Sequence, residues 1–256
     1  MNINDLSTQL LYTTVPIFGV KSDGSQVAGT GFIFSIFDKD DKSKSIPLLI
    51  TNYHVMDGII EGFIEFSLAE NNMPIKGKSI RVTFDGSVLK NKLGSLDLIA
   101  IPLAEALNDL MNKKINVFYR TISKEMIPNR EQMDDLAALE KVTFIGYPSG
   151  LYDTYNKTSI IRQGITATPI WNDFKGEPIF LIDAGVFPGS SGSPVFIYNQ
   201  GSYATRDGIT IGNRVLFVGI ISETILSNGV TYLNLGRAIN SLSMYEELEK
   251  LIEPYL

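Results

Sequence analysis

The chain has 256 residues, of which 44% are hydrophobic and 20% charged, so its composition is that of a folded globular protein. It contains no cysteine, which excludes disulfides, iron–sulfur clusters, thiol catalysis and cysteine-based zinc sites. A zinc site would have to be built on the single histidine, His54, together with carboxylates, so we expect no metal.

The charge balance indicates what the chain does not bind. The chain has 22 Lys and Arg and 28 Asp and Glu, so its net charge is −6. This acidic balance argues against nucleic-acid binding and against docking on an anionic membrane. No Lys or Arg precedes Lys21, so the chain begins without the basic segment of a secretory signal, and no apolar run reaches the roughly 18 residues of a membrane span. We therefore expect a cytoplasmic protein.

Short apolar and β-branched runs, separated by Gly, Pro, Asn and Asp, recur along the chain and predict strands. In the first half they are residues 10–20, 31–37, 47–51, 62–68, 79–84 and 97–103. In the second half they are residues 142–147, 159–168, 178–184, 193–198, 214–222 and 230–235. Two strand-rich halves with little helix indicate an all-β chain, and the pattern alone fits either two barrels or a sandwich.

Helical patterns are few. Residues 104–113 and 130–139 are short candidates between the two halves, and residues 243–256 form the clearest one. Ser243 is the expected N-cap of that last helix, whose apolar side chains share one face. This face would pack on the body of the protein or bind a partner. The mixed charges of residues 38–44 indicate a solvated turn.

The most informative stretch for chemistry is the glycine- and serine-rich segment around Ser191. A serine hydroxyl is a poor nucleophile unless a base removes its proton and backbone N–H groups stabilise the oxyanion. Gly189 and Gly192 bracket Ser191 and permit the tight bend that this requires. Ser190 and Ser193 are neighbours without this pattern of glycines. An ordinary turn between two strands remains the alternative interpretation.

Two further residues follow or begin predicted strands. His54 lies just after the strand at 47–51, and histidine is the side chain best suited to act as a base near neutral pH. Asp97 begins an apolar strand, where a carboxylate is costly unless it is paired, and an imidazole N–H would satisfy it. A structural histidine and an aspartate that caps a turn are the alternatives.

Taken together, these segments resemble the trypsin-like (chymotrypsin-fold) serine peptidases, and among them the bacterial HtrA-like peptidase domains. The resemblance covers about residues 10–240. It rests on four ordered blocks: Gly29-Thr30-Gly31-Phe32, Thr51-Asn52-Tyr53-His54-Val55, Asp97-Leu98-Ile99-Ala100 and Gly189-Ser190-Ser191-Gly192-Ser193-Pro194.

The resemblance implies two packed antiparallel six-stranded β-barrels, with the C-terminal helix following them. The first barrel, residues 1–125, would carry His54 and Asp97, and the second, residues 126–256, would carry Ser191. In this scheme His54 is the general base and then the general acid, Asp97 orients it, and the N–H groups of Gly189 and Ser191 form the oxyanion hole. The resemblance implies no cofactor, and a protein or peptide substrate.

The chain departs from its apparent relatives in two respects. Secreted trypsin-like enzymes usually have an aspartate just before the catalytic serine, where a newly cut N-terminus pairs with it, but this chain has Ser190. HtrA proteins usually add a PDZ domain, which we do not expect here. The missing activation pair motivates an alternative function: a trypsin-like fold used as a partner-activated or non-catalytic binding module.

Substrate preference is the weakest inference from the sequence. By resemblance, Gly185 is the base of the primary specificity pocket, and Ser222, Glu223 and Thr224 form its far wall. Since no acid lies at the base, we expect no strong preference for Lys or Arg, and small or apolar side chains are the default. The acidic surface and the C-terminal helix are compatible with a homo-oligomer or a regulatory partner protein.

Overall fold

The computed structural model describes residues 2–37, 45–205, 208–227 and 230–253. The predicted turn at 38–44 and the last three residues of the predicted C-terminal helix lie outside these ranges. Within the described ranges, no helix combines the length and the apolar character needed to cross a membrane.

The first half of the chain forms one β-sheet. Its strands are β1 (Thr14–Lys21), β2 (Gln26–Phe37), β3 (Ser45–Thr51), β4 (Ile59–Glu70), β5 (Met73–Asp85), β6 (Ile99–Pro102), β7 (Val117–Phe118) and β8 (Ile122–Ser123). Six of them pair in the order β5-β4-β1-β2-β3-β6, while β7 pairs with β4 and β8 with β2. The 3₁₀ turn Gly86–Lys90 contacts both β5 and β6, the two ends of this path.

The second half forms a closed barrel. Its strands are β9 (Lys141–Gly146), β10 (Ile160–Thr166), β11 (Ile179–Asp183), β12 (Pro194–Asn199), β13 (Ser202–Thr205), β14 (Gly208–Ile211), β15 (Arg214–Ser227) and β16 (Val230–Asn240). The barrel closes in the order β10-β11-β16-β15-β12-β9, and β13 and β14 form a separate hairpin. The predicted all-β class with a six-stranded antiparallel barrel is confirmed. In the first half, six strands pair antiparallel along one path and β8 pairs parallel with β2, while the β13–β14 hairpin was not predicted.

Within the described residues, five α-helices lie before, between or after the strands. They are α1 (Leu6–Leu10), α2 (Tyr53–Met56), α3 (Ala104–Asn112), α4 (Arg130–Asp134) and α5 (Ser241–Ile252). The strand predicted at residues 10–20 begins only at Thr14, because Leu10 ends α1. The expected N-cap Ser243 is wrong: α5 begins directly after β16, where the Asn240 side chain accepts a hydrogen bond from the Leu242 N–H at 2.9 Å.

The two halves share an apolar core. The rings of Phe32 on β2 and Phe217 on β15 lie 5.3 Å apart between centroids, and both side chains are fully buried. Met244 and Leu248 of α5 belong to the same buried cluster, so this helix packs on the body of the protein. The predicted boundary between residues 125 and 126 falls in the connection between β8 and β9. That each half is a domain of its own stays a prediction.

A polar cluster around Glu65 also joins the halves. This β4 carboxylate, whose side chain is 8% exposed, accepts hydrogen bonds from Ser79 (2.5 Å), Tyr152 (3.0 Å) and Lys157 (3.2 Å). Burial alone would raise the pKa of Glu65, but the three donors together lower it below its usual value. The cluster therefore stabilises the fold through the ionised carboxylate.

We expect Glu65→Gln to lower the free energy of unfolding at pH 7 by about 1–3 kcal/mol, since it removes the charge from these hydrogen bonds. Because the folded pKa is depressed, the stability that Glu65 contributes is present above the unfolded value of about 4.3 and is lost as the pH falls through the folded pKa. The difference between the variant and the wild type should therefore shrink on acidification.

Chemical denaturation between about pH 7 and pH 3 measures this dependence. Glu61→Gln is the matched control, because Glu61 lies on the same strand and is exposed. Equal stabilities of Glu65→Gln and wild type at pH 7 would contradict the role assigned to the cluster.

Candidate active site

The single histidine lies at the first turn that follows β3. The short helix α2 begins one residue after the fully buried Asn52, so His54 projects from the end of the first sheet. The Asn52 side-chain amide and the Tyr53 N–H both donate to the main-chain oxygen of Asp97, at 2.9 and 3.2 Å. These two bonds fix the segment before β6 against α2.

His54 and Asp97 are in direct contact. The imidazole Nδ1 lies 2.6 Å from Asp97 Oδ2, and the His54 backbone N–H donates to Asp97 Oδ1 at 3.0 Å. An ionised carboxylate is only an acceptor, so Nδ1 must carry the proton in this contact. In the neutral imidazole, Nε2 then holds the free lone pair, which is the tautomer a general base requires.

The Asp97 carboxylate is held in its charged form. Burial would raise its pKa, but the hydrogen bond from the His54 ring, the positive charge that the ring carries when protonated and the His54 backbone N–H together lower it. The Ser222 hydroxyl adds a longer bond of 3.4 Å to the same oxygen that contacts His54. Asp97 therefore remains ionised down to a lower pH than an ordinary aspartate.

Ser191 follows a tight turn whose shape requires glycine. The Ser190 N–H donates to the Phe187 carbonyl at 2.9 Å, with Pro188 and Gly189 at the two central positions. Gly189 has a φ of +84°, and this pattern of Pro then Gly defines a type II turn. A Cβ at Gly189 would also lie 2.7 Å from the Tyr147 carbonyl oxygen, so no other residue fits.

A buried threonine of the first sheet holds this turn. The Thr30 N–H donates to the Ser191 carbonyl and the Thr30 hydroxyl donates to the Gly189 carbonyl, each at 2.9 Å. The same hydroxyl accepts from the Tyr147 N–H at 3.0 Å. Gly192, at φ +88°, lies so close that a Cβ there would overlap the Thr30 carbonyl oxygen. Thr30 therefore sets where the Ser191 loop meets the first sheet.

The Ser191 hydroxyl is directed at a main-chain acceptor on β15. Its Oγ donates to the Ser222 carbonyl at 2.8 Å, and within the described ranges no hydrogen bond joins Ser191 to His54. The neighbouring Ser190 and Ser193 are each only 1% exposed, while Ser191 is half-buried. Ser222 thus contacts both Ser191 and Asp97, and Asp97 contacts His54, with Ser191 as the accessible serine of its loop.

The two N–H groups assigned to the oxyanion hole belong to Gly189, within this turn, and to Ser191, the residue after it. Neither the Gly189 nor the Ser191 N–H donates to a protein acceptor among the residues that the structure describes. The Pro188 carbonyl accepts from the Ser149 N–H at 2.5 Å, and in a trans peptide the C=O and N–H point in opposite directions. The Gly189 N–H therefore faces away from Ser149 and is free to bind an anion.

The candidate pocket residues lie together beside Ser191. Gly185 is buried, and the next residue, Val186, accepts a hydrogen bond from Thr224 Oγ1 at 2.7 Å through its carbonyl. Ser222 begins the opposite segment, and Glu223 is exposed and pairs with Arg237 at 2.6 Å. The bond from Thr224 thus joins residues 185–187 to residues 222–224, the expected far wall of the pocket.

Reasoning from the sequence missed two side chains of other strands that lie next to Gly185. Arg162 on β10 donates through Nη1 to the Gly185 carbonyl, and Asn234 on β16 lies next to the same glycine. The anchoring role of Thr30 was also missed, although the residue stands in one of the blocks that carry the resemblance. Composition and strand pattern give no signal for these contacts, because each depends on pairing between distant strands.

Comparison with known proteins identifies the fold. No protein-family model matches the sequence, and no curated protein does. Among solved structures, the chain is similar to the HtrA-type protease AlgW with a decapeptide (TM-score 0.53, 14% identity, 99% of this chain and 68% of that one). It is also similar to HL collagenase (TM-score 0.55, 12% identity, 95% of this chain and 94% of that one). A third similar structure is the scabies mite inactivated protease paralogue S-I1 (TM-score 0.51, 11% identity, 96% of this chain and 96% of that one).

These similarities extend over nearly the whole chain at low identity, so they establish the fold. The chain has the chymotrypsin fold, as the sequence resemblance predicted. Since one of the three structures is an inactivated protease, activity has to be argued from the side chains of the site.

We expect Thr30→Val to lower the free energy of unfolding by about 2 kcal/mol or more, because the Gly189 carbonyl and the Tyr147 N–H lose a buried partner. Denaturant titration measures the loss, and hydrogen–deuterium exchange over residues 187–192 should become faster. Thr30→Ser keeps the hydroxyl, so it should lower the free energy of unfolding by only about 1 kcal/mol, which is the contribution of the buried methyl group. Unchanged stability and exchange in Thr30→Val would refute the anchoring role.

Proposed function

We propose that the chain is a serine endopeptidase that uses Ser191, His54 and Asp97 and passes through an acyl-enzyme intermediate. The observation that carries the proposal is the 2.6 Å contact between His54 Nδ1 and an Asp97 carboxylate of lowered pKa. It fixes the orientation and tautomer that a base needs, beside the accessible serine of a glycine-bracketed turn.

The proposed reaction uses only groups of this chain and a water molecule. His54 Nε2 takes the proton of Ser191 Oγ as this oxygen attacks the peptide carbonyl carbon, and the N–H groups of Gly189 and Ser191 bind the resulting oxyanion. The imidazolium then gives its proton to the leaving amine, and the acyl group stays on Ser191. Water, deprotonated by His54, releases the acid and restores the serine.

We also propose a setting for this activity. The substrates are proteins or peptides, the reaction needs no cofactor, and the enzyme acts in the cytoplasm without a nucleic-acid or membrane partner. A second copy of the chain or a regulatory protein could control it, and the site offers a reason for such control.

A partner-activated or non-catalytic binding module is the second candidate. The observation that favours it is the Ser191 hydroxyl, which donates to the Ser222 carbonyl at 2.8 Å instead of to the imidazole. Attack on a substrate requires that this bond break and that the side chain turn towards His54. A substrate or partner that donates an N–H to the Ser222 carbonyl would compete for the same acceptor and release the hydroxyl.

The first test concerns the nucleophile. Ser191→Ala should fold normally, lose labelling by a fluorophosphonate probe and lower peptide hydrolysis by about 10³-fold or more. Ser193→Ala is the control, because the Ser193 hydroxyl is buried and has no hydrogen-bond partner in the described part of the chain, and labelling of this variant should persist. Undiminished labelling of Ser191→Ala would remove Ser191 from the mechanism.

The second test separates the two candidates. The enzyme interpretation predicts that the purified chain hydrolyses small activated esters unaided, with a rate that disappears in His54→Ala. A correctly folded chain that neither hydrolyses esters nor reacts with the probe would favour the partner-activated or binding module.

A further inference from the structure

A half-buried arginine lies at the base of the candidate pocket. Arg162 donates through Nη1 to the Gly185 carbonyl, and its guanidinium carbon lies 4.8 Å from the centre of the Phe187 ring. A Cβ placed on Gly185 would be 3.0 Å from Arg162 Nη2, 3.2 Å from Asn234 Oδ1 and 3.3 Å from the Phe187 ring. The space over Gly185 is therefore bordered by a cation, an amide and an aromatic edge.

The register of the sheet puts this cation on the inner side of the barrel. On β10, Arg162 stands directly opposite Phe144 of the neighbouring strand β9, and Phe144 is 2% exposed and part of the core. Ile165 lies three residues along the same strand, so its side chain points to the opposite face. There it stands opposite the exposed Asp183 of the neighbouring strand β11. The acid closest in sequence to the pocket base is therefore on the outer surface and does not neutralise Arg162.

The other arginines of this barrel differ from Arg162. Arg237 pairs with Glu177 and Glu223, and Arg214 pairs with Glu140. Among the described residues, no carboxylate lies within ion-pair distance of Arg162, and its Nη2 has no hydrogen-bond partner. Since Glu223 is already paired with Arg237, the candidate pocket keeps a net positive charge.

We infer that Arg162 determines specificity and that the pocket takes an acidic side chain, Asp or Glu, at the substrate residue preceding the cleaved bond. The inference rests on the proposed peptidase function. It replaces the default of small or apolar side chains that the sequence suggested.

The physical basis is the geometry of the guanidinium. Its planar fork offers parallel donors to a carboxylate, and contact with the Phe187 ring and the Gly185 carbonyl holds the plane before a substrate arrives. A half-buried cation without a counter-ion is costly, and a bound carboxylate would recover part of that cost. A lysine or arginine side chain would instead meet a like charge.

Binding tests the inference without requiring catalysis. In the Ser191→Ala background, fluorescence anisotropy compares two labelled peptides that differ only in a C-terminal Glu or Gln. We expect the Glu peptide to bind about tenfold more tightly or better, and the preference to weaken at high salt. Adding Arg162→Gln should abolish the preference, and Arg162→Lys should retain part of it. Arg81→Gln, which removes an arginine stacked on Phe63 in the first sheet, should leave the preference unchanged.

Equal affinity of the two peptides in the presence of Arg162 would overturn the inference, as would a preference that survives in a folded Arg162→Gln variant. Cleavage then separates this inference from the proposed function. A wild-type chain that reacts with the fluorophosphonate probe and cleaves Leu peptides at least as well as Glu peptides contradicts the role of Arg162 alone. A chain that binds the Glu peptide selectively but never reacts with the probe contradicts the peptidase.

Discussion

The candidate site depends on one buried threonine that connects the two sheets. Thr30 belongs to β2, yet its N–H and hydroxyl bind the carbonyls of Ser191 and Gly189 in the second half. Because its hydroxyl also accepts from Tyr147, it satisfies three polar groups that would otherwise be buried without partners. This cluster sets the position of Ser191 relative to His54, since the helix that bears His54 follows β3 of the same sheet as Thr30. The geometry of the candidate site is thus a property of the junction and of neither half alone.

A second constraint is the single carboxylate of Asp97. Its side chain binds the ring and the backbone of His54, and its main-chain oxygen accepts from Asn52 and Tyr53. The helix that bears His54 and the segment that bears Asp97 therefore hold each other in place. With only one histidine in the chain, no other imidazole could replace this pair.

Local sequence patterns predicted what depends on local chemistry. The continuous apolar runs of the barrel strands and the glycines around Ser191 were readable, because each reflects burial or a turn within a few residues. The β13–β14 hairpin was missed, since Ile209 and Ile211 are exposed and carry no pattern of burial. The start of α5 was misplaced because Asn240, the last residue of β16, also caps the helix. Arg162 could not be found, because its role arises from a contact across strands with Gly185, 23 residues away.

The β15 segment that includes Ser222 and Thr224 contacts both the candidate pocket and the candidate triad. Where β15 passes Ser222 and Thr224, its pairing with β16 shifts register twice, between Ile221 and Glu223 and again between Thr224 and Leu226. Such irregularities redirect side chains from their regular alternation. Here they accompany three hydrogen bonds: the Ser222 hydroxyl donates to Asp97, the Ser222 carbonyl accepts from the Ser191 hydroxyl, and the Thr224 hydroxyl donates to the Val186 carbonyl. One short segment of β15 therefore contacts Asp97, Ser191 and the candidate pocket, so the positions of these three parts of the site depend on each other.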